Sequence, residues 1–487
     1  MVRTTGRPPL APAPVASAVL ALGLVLALTA GRYGYHRDEL YFRLLPLRWG
    51  YVDQPPLLPA LTRAAIAVLG DEVASLRLPA LLLACGGVVV IALLARELGG
   101  GPFAQGLAAW GHAFGSFTLS LGHLLLTSTV DLVVWPAILL AVVRVVARDQ
   151  PRWWLLAGAL VGLDTWNKWL IVMLVLGVLL GLLAVGPRRV LRTRWLALGA
   201  GLAVLLALPN VVWQLTHGLP QLGMAAALSG DNGAGVRVSV GPLLLVMIGP
   251  FLCWVWVLAV VRVIRRPELA RLRFVVATFV VVLALTVAGG SQVYYPYPAL
   301  AAVYALGCVQ VERLVRRRRP YVIACVGLTV ASGVVLNLPV LPLGVLRYTP
   351  VPSVNQSVRD QIGWPRYVDQ IDRVAEAARR QDPAAVIVAS NYGEAGALDR
   401  YGVSGLPVYS PQNALWELGR PAAGVRTVVL VGGLAERDRG EFASCRTVAR
   451  LDDGVGVDTE EQAEPVALCT GPTRPWDVLW PAWRRLS

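Results

Sequence analysis

Apolar residues in this chain come in long blocks rather than alternating with polar ones. Eleven blocks approach or reach the roughly 20 residues that a bilayer-spanning helix needs. They fall near 14–30, 74–95, 102–118, 129–147, 153–166, 169–186, 195–212, 241–263, 273–289, 296–312 and 321–338. Past residue 339 the pattern changes to short β-rich runs, turn signals and charges. Val386-Ile387-Val388 and Val428-Val429-Leu430-Val431 read as buried strands, and 364–380 and 434–442 as helices. Strands alternating with helices predict a small α/β domain. The expected organisation is a polytopic α-helical membrane domain over 1–339 and an α/β domain over 340–487. Two connections are long, 31–73 and 213–240, and long loops at one face are where function concentrates. In the first, Leu40, Leu44, Leu45 and Leu47 with Arg43 and Arg48 form a short amphipathic stretch suited to the membrane interface.

Composition supports the membrane reading: 56% of the 487 residues are hydrophobic and 15% charged, against about 25% charged in soluble proteins. The net charge of +14 is distributed between apolar blocks, whereas a nucleic-acid binder gathers its basic residues on one soluble face. Cytoplasmic loops carry excess arginine in membrane proteins. With the N-terminus inside as a retained signal anchor, the inner loops hold Arg96, Arg148 and Arg152, the 188–194 and 262–273 clusters, and Arg313 with Arg316 to Arg319. The outer loops are nearly free of basic residues, apart from the first. An odd number of spans then puts 340–487 in the extracytoplasmic compartment. Cys85, Cys253, Cys308 and Cys325 lie inside apolar blocks, while Cys445 and Cys469 lie outside them. Each of the latter borders a β-rich run, and the oxidising compartment preserves disulfides, so a Cys445–Cys469 bond is expected.

The first loop carries the densest chemistry: Tyr33-Gly34-Tyr35-His36-Arg37-Asp38-Glu39-Leu40-Tyr41, then Gly50-Tyr51-Val52-Asp53-Gln54-Pro55-Pro56-Leu57. Asp38 and Glu39 fall at the start of the amphipathic stretch. A carboxylate there suits a general base that accepts a proton from an attacking hydroxyl. It equally suits a helix cap.

This loop resembles the Asp-Glu motif followed by Gly-Tyr-x-Asp-x-Pro-Pro-Leu of the family 39 glycosyltransferases. These are GT-C enzymes related to protein O-mannosyltransferases and the lipid A aminoarabinose transferase. The family usually has His where this chain has Gln54. Further similar segments follow in order: Thr129-Val130-Asp131-Leu132, Trp166-Asn167-Lys168, Leu208-Pro209-Asn210-Val211-Val212-Trp213 and Tyr294-Tyr295-Pro296. Ser390-Asn391-Tyr392-Gly393-Glu394-Ala395-Gly396 resembles a signature of one bacterial subgroup. Many relatives have a basic residue just before the tyrosine pair, where this chain has Gly290-Ser291-Gln292-Val293.

The resemblance implies roles. Asp38 is the base, Glu39 supports it or holds the acceptor, and Asp131 is the second acidic residue of the site. Lys168, the only lysine in the chain, faces the donor phosphate with Tyr294 and Tyr295. Alternatives stand beside these. Asp131 also fits a helix cap, and Tyr294 and Tyr295 fit an interfacial aromatic belt. Lys168 lies four residues after Asp164, the spacing of a helical ion pair. The spacing of His36, His123 and His217 with Asp38 requires no metal, and no cofactor is expected. The implied reaction moves a sugar from a polyprenyl-phosphate donor to a protein, lipid or wall-glycan acceptor, inverting by direct displacement. A transporter or lipid flippase also fits many spans with charges, but no inverted repeat is visible and the polar sites gather at one face rather than the midplane.

Overall fold

The computed structural model describes residues 8–486. The chain divides into two compact units. The first comprises the N-terminal residues through Ala30, Gln54–Leu58 and Arg77–Leu338, and the second Gly31–Asp53, Pro59–Leu76 and Pro339–Ser487. The first loop therefore clusters with the C-terminal segment, whereas the sequence pattern grouped it with the spans.

The first unit is helical. Six helices among the described residues are long and apolar enough to cross a membrane: Pro12–Thr29, Val73–Glu97, Thr127–Arg148, Arg194–Thr216, Pro267–Gly289 and Arg319–Asn337. Shorter apolar helices, Trp153–Asp164 and Ile171–Val185 among them, fall on two further expected spans. Close packing in membranes relies on small residues at helix contacts. Gly162 illustrates this: a Cβ there would stand 2.7 Å from the Ala203 carbonyl. The helix ending at Asp164 is thus held tightly against the Arg194–Thr216 helix.

Four expectations need correction. The 241–263 block is two helices, Pro220–Val246 and Cys253–Arg265. Gly249-Pro250 divides them, with Gly249 at φ +120°, a region that L side chains rarely enter. The 102–118 block likewise breaks between Pro102–Ala113 and Ser116–His123. The 213–240 segment, expected as a loop, is almost wholly helical. One of its glycines serves packing: Gly233 lies against Gly290, whose Cβ would stand 2.8 Å from the Gly233 Cα. The helix Leu57–Leu69 was not expected, because Pro55, Pro56 and Pro59 read as loop. A proline in the first turn, however, breaks no helical hydrogen bond.

The second unit is built on a five-stranded sheet of order β2-β1-β3-β5-β4. The strands are β1 Val386–Ala389, β2 Val408–Tyr409, β3 Thr427–Val431, β4 Phe442–Arg450 and β5 Pro465–Pro472. β1 pairs in parallel with β2 and β3, and β5 runs antiparallel to β3 and β4. β1 and β3 are buried throughout, as expected of parallel strands covered on both faces. Val386, Val388, Val428 and Leu430 pack with Trp476, Leu479, Trp480 and Trp483 of the last helix. The amphipathic helix Trp364–Gln381 buries Tyr367, Val368, Ile371 and Val374 and lies against β3 and β5. The helix expected over 434–442 ends at Arg437, and Phe442 already begins β4.

Cys445 and Cys469 are direct partners in the β4–β5 register and form a disulfide across a sequence separation of 24. Closing a loop of that length contributes about 3 kcal/mol in the chain-entropy model. Replacing both cysteines by alanine is expected to lower the melting temperature of the second unit. Alkylation of the native, non-reduced protein is expected to spare both thiols, and labelling of both would contradict the bond.

Candidate active site

In the second unit, Asp38 lies on the helix Arg37–Leu44. The cap of this helix is His36, whose ring accepts from the Asp38 N–H at 3.2 Å. Glu39 Oε2 accepts from the His36 N–H at 2.9 Å, completing a reciprocal capping box. Glu39 is fully buried. Capping is therefore the work of His36 and Glu39, and Asp38 is released from it. Asp38 stays partly exposed, and its Oδ1 accepts from the Tyr392 hydroxyl at 2.9 Å. Arg37 is anchored by ion pairs to Glu460 and to Glu461, and its guanidinium sits 5.3 Å from the centre of the Tyr392 ring.

The following motif supports this helix. The Tyr41 hydroxyl donates to Asp53 Oδ1 at 2.9 Å and accepts from the Ala414 N–H at 3.1 Å. Burial pushes the Asp53 carboxyl up to about 7, against the lowering effect of the Tyr41 hydrogen bond, with the nearby Asp38 charge adding to the rise. Tyr51 is buried, and its hydroxyl donates to the Pro46 carbonyl.

In the first unit, Gln54, Pro55 and Pro56 are buried. Among the described residues the Gln54 Nε2 finds no hydrogen-bond partner.

The first unit also buries a polar cluster. Asp131 stands in the second turn of Thr127–Arg148, past the cap at Leu126, so it is no N-cap. Asn167 bridges two carboxylates, donating to Asp131 Oδ1 at 3.1 Å and to Asp164 Oδ1 at 3.3 Å. Trp135, one turn beyond Asp131, donates to Asp164 Oδ2 at 3.2 Å. Both oxygens of Asp164 are thus occupied by Asn167 and Trp135. The Lys168 N–H still donates to the Asp164 main-chain carbonyl at 2.8 Å, but its side chain does not turn back to the Asp164 carboxylate. The ammonium of Lys168 instead sits 4.4 Å from the centre of the Tyr295 ring and 5.9 Å from that of Tyr294. Lys168, Tyr294 and Tyr295 thus come together, as do Asp131, Asn167 and Asp164. Polar groups inside apolar helices are costly and mark functional sites by default.

The sequence pattern missed three participants. Asn167 stands next to Lys168 within an apolar stretch, which was its only signal. Trp135 had none. Tyr392 was quoted in a signature without a role. The histidines are engaged separately: His36 as a cap, His123 with Arg77 at 3.0 Å, and His217 stacked on Trp213. Among the described residues no group of three metal-ligating side chains occurs.

Residues 53–213 match the family model described as dolichyl-phosphate-mannose-protein mannosyltransferase. Among solved structures, the chain is similar to ArnT from Cupriavidus metallidurans bound to undecaprenyl phosphate. The TM-score is 0.64 at 14% identity, covering 94% of this chain and 98% of that one. The apo state of the same protein gives 0.59 at the same identity and coverage. The arabinofuranosyltransferase AftD from Mycobacteria gives 0.53 at 16% identity, with 94% of this chain on 40% of AftD. No curated protein matches the chain. The fold is shared with ArnT and AftD. The family match covers residues 53–213, and the likeness to these solved structures is one of fold.

Proposed function

We propose that this enzyme transfers a sugar from a polyprenyl-phosphate donor to an acceptor at the outer face of the membrane, by a single displacement that inverts the anomeric centre. The observation that carries this reading is the state of Asp38. Its helix is capped by His36 and Glu39, which leaves a partly exposed carboxylate with no capping duty. In this reading Asp38 takes the proton of the acceptor hydroxyl as its oxygen attacks the anomeric carbon. The polyprenyl phosphate departs as a stable anion, needing positive charge rather than a proton, and Lys168 with Tyr294 and Tyr295 is the candidate group for it. Asp131 is the second acidic residue. The arrangement of arginines between the apolar blocks supports eleven crossings, a cytoplasmic N-terminus and residues 340–487 outside.

Two experiments test the proposal. Comparing cell-envelope glycans of a deletion strain with those of the parent is expected to show one missing sugar substituent, which names the sugar and the acceptor. The purified protein in liposomes, given the polyprenyl phosphate form of that sugar and the acceptor, is expected to release free polyprenyl phosphate. Movement of the lipid between leaflets without such release would make the protein a flippase instead.

A further inference from the structure

The Ser390–Gly396 segment, which the reaction has not used, converges on Asp38. Strand β1 ends at Ala389, and the helix Tyr392–Tyr401 begins three residues on. Asn391 caps it, accepting from the Glu394 N–H at 2.8 Å. Glu394 returns the bond, accepting from the Asn391 and Ser390 N–H groups at 3.2 and 2.7 Å. The two glycines provide room. A Cβ on Gly396 would lie 2.7 Å from the Leu40 carbonyl oxygen, and one on Gly393 would lie 3.0 Å from the Arg37 Cβ. Glycines three residues apart share one helix face, so the Arg37–Leu44 helix packs there in near-backbone contact. That packing brings the Tyr392 hydroxyl to Asp38 Oδ1. The Tyr392 ring is fixed by Tyr41, centroid to centroid 4.8 Å, and by Arg37.

We infer that Tyr392 is a positioning residue for the transfer reaction: its hydroxyl holds the Asp38 carboxylate in one orientation through Oδ1 and leaves Oδ2 to meet the acceptor. The C-terminal segment is thereby part of the machinery that sets the base. Burial and the Asp38 charge hold the Tyr392 phenol well above its ordinary range, so it remains a donor at working pH. The inference rests on the proposed role of Asp38 as base.

Its test is the substitution Tyr392→Phe, which removes one oxygen and keeps the ring. A hydrogen bond to a carboxylate fixes its orientation, so losing it frees the Asp38 carboxyl to rotate. The groups facing Asp38 are Tyr392 across the helix pair, His36 and Arg37 on its own helix, and Asp53 from the following motif. Asp360 and Glu461 act at longer range through Arg37. All but the Tyr392 hydroxyl persist in the variant. Carbodiimide labelling of Asp38 at one fixed pH, read by peptide mass spectrometry on the full-length protein, needs no substrate. Asp38 is expected to label severalfold faster in the variant, because Oδ1 is no longer covered by the hydroxyl. Turnover is expected to fall about ten-fold with KM values unchanged. A parental labelling rate with parental turnover would overturn the inference. Parental turnover in Asp38→Asn would instead overturn the base assignment on which it rests, so the two failures are distinct. If Tyr392→Phe does not purify as folded protein, fluorotyrosine at position 392 carries the test. Its stronger donor hydroxyl is expected to slow the labelling of Asp38, and an unchanged rate would count against the inference.

Discussion

Asp38→Asn is expected to give a folded, membrane-inserted protein whose turnover falls by roughly 10²–10⁴-fold, the usual contribution of a general base. The substitution isolates basicity. The helix cap is formed by His36 and Glu39, so no capping energy is lost. Asparagine still presents a carbonyl oxygen where Oδ1 accepts from Tyr392, so the contact between the helices persists. Glu39→Ala should behave differently. It breaks the capping box, a change of order 1 kcal/mol, and should lower the melting temperature before it lowers turnover. Near-parental turnover by purified Asp38→Asn, assayed by release of polyprenyl phosphate, would end the assignment of Asp38 as base.

What was legible in the sequence follows from which interactions are local. The helix carrying Asp38 was visible because its leucines and arginines repeat at helical spacing within a few residues. The strand cores Val386–Val388 and Val428–Val431 were visible as short apolar runs. The partner of Asp38 was not visible, since Tyr392 lies 354 positions away and no local periodicity encodes that pairing. The 213–240 segment misled for a related reason. Glycine weakens an isolated helix, yet here Gly233 gives space to Gly290 of another element, and that tertiary contact outweighs propensity. The break at Gly249-Pro250 had the opposite character. The local signal was present in the 241–263 block, but continuous hydrophobicity masked it. Lys168 shows the limit of spacing arguments. The Lys168 N–H still bonds the Asp164 carbonyl four residues back, yet the ammonium turns to the Tyr295 ring, so helical spacing alone does not fix a side chain's partner.

That choice of partner is why Lys168→Ala is expected to act on turnover rather than on stability. An ammonium tied to Asp164 would be a structural element, and removing it would strand a buried carboxylate. Here Asp164 is instead held by Asn167 and Trp135, and the ammonium rests over Tyr295 at 4.4 Å. A cation over a tyrosine ring is worth about 0.5–2 kcal/mol, weak enough for a phosphate to draw the ammonium away. Removing a charge that stabilises a departing anion lowers turnover by roughly 10²–10³-fold, and that is the expected loss for Lys168→Ala. Lys168→Arg, which keeps the charge, is expected to retain part of the activity. The double variant Asp164→Ala with Lys168→Ala separates the readings, because it removes both members of any ion pair. It is expected to remain as impaired as Lys168→Ala alone, and recovery of full activity would reduce Lys168 to a partner of Asp164. The chain offers an independent check, since it contains one lysine. An amine-directed acylating reagent therefore modifies only Lys168 and the N-terminal amine. Polyprenyl phosphate added beforehand is expected to protect Lys168 from the reagent, and equal labelling with and without the lipid would remove Lys168 from the phosphate site.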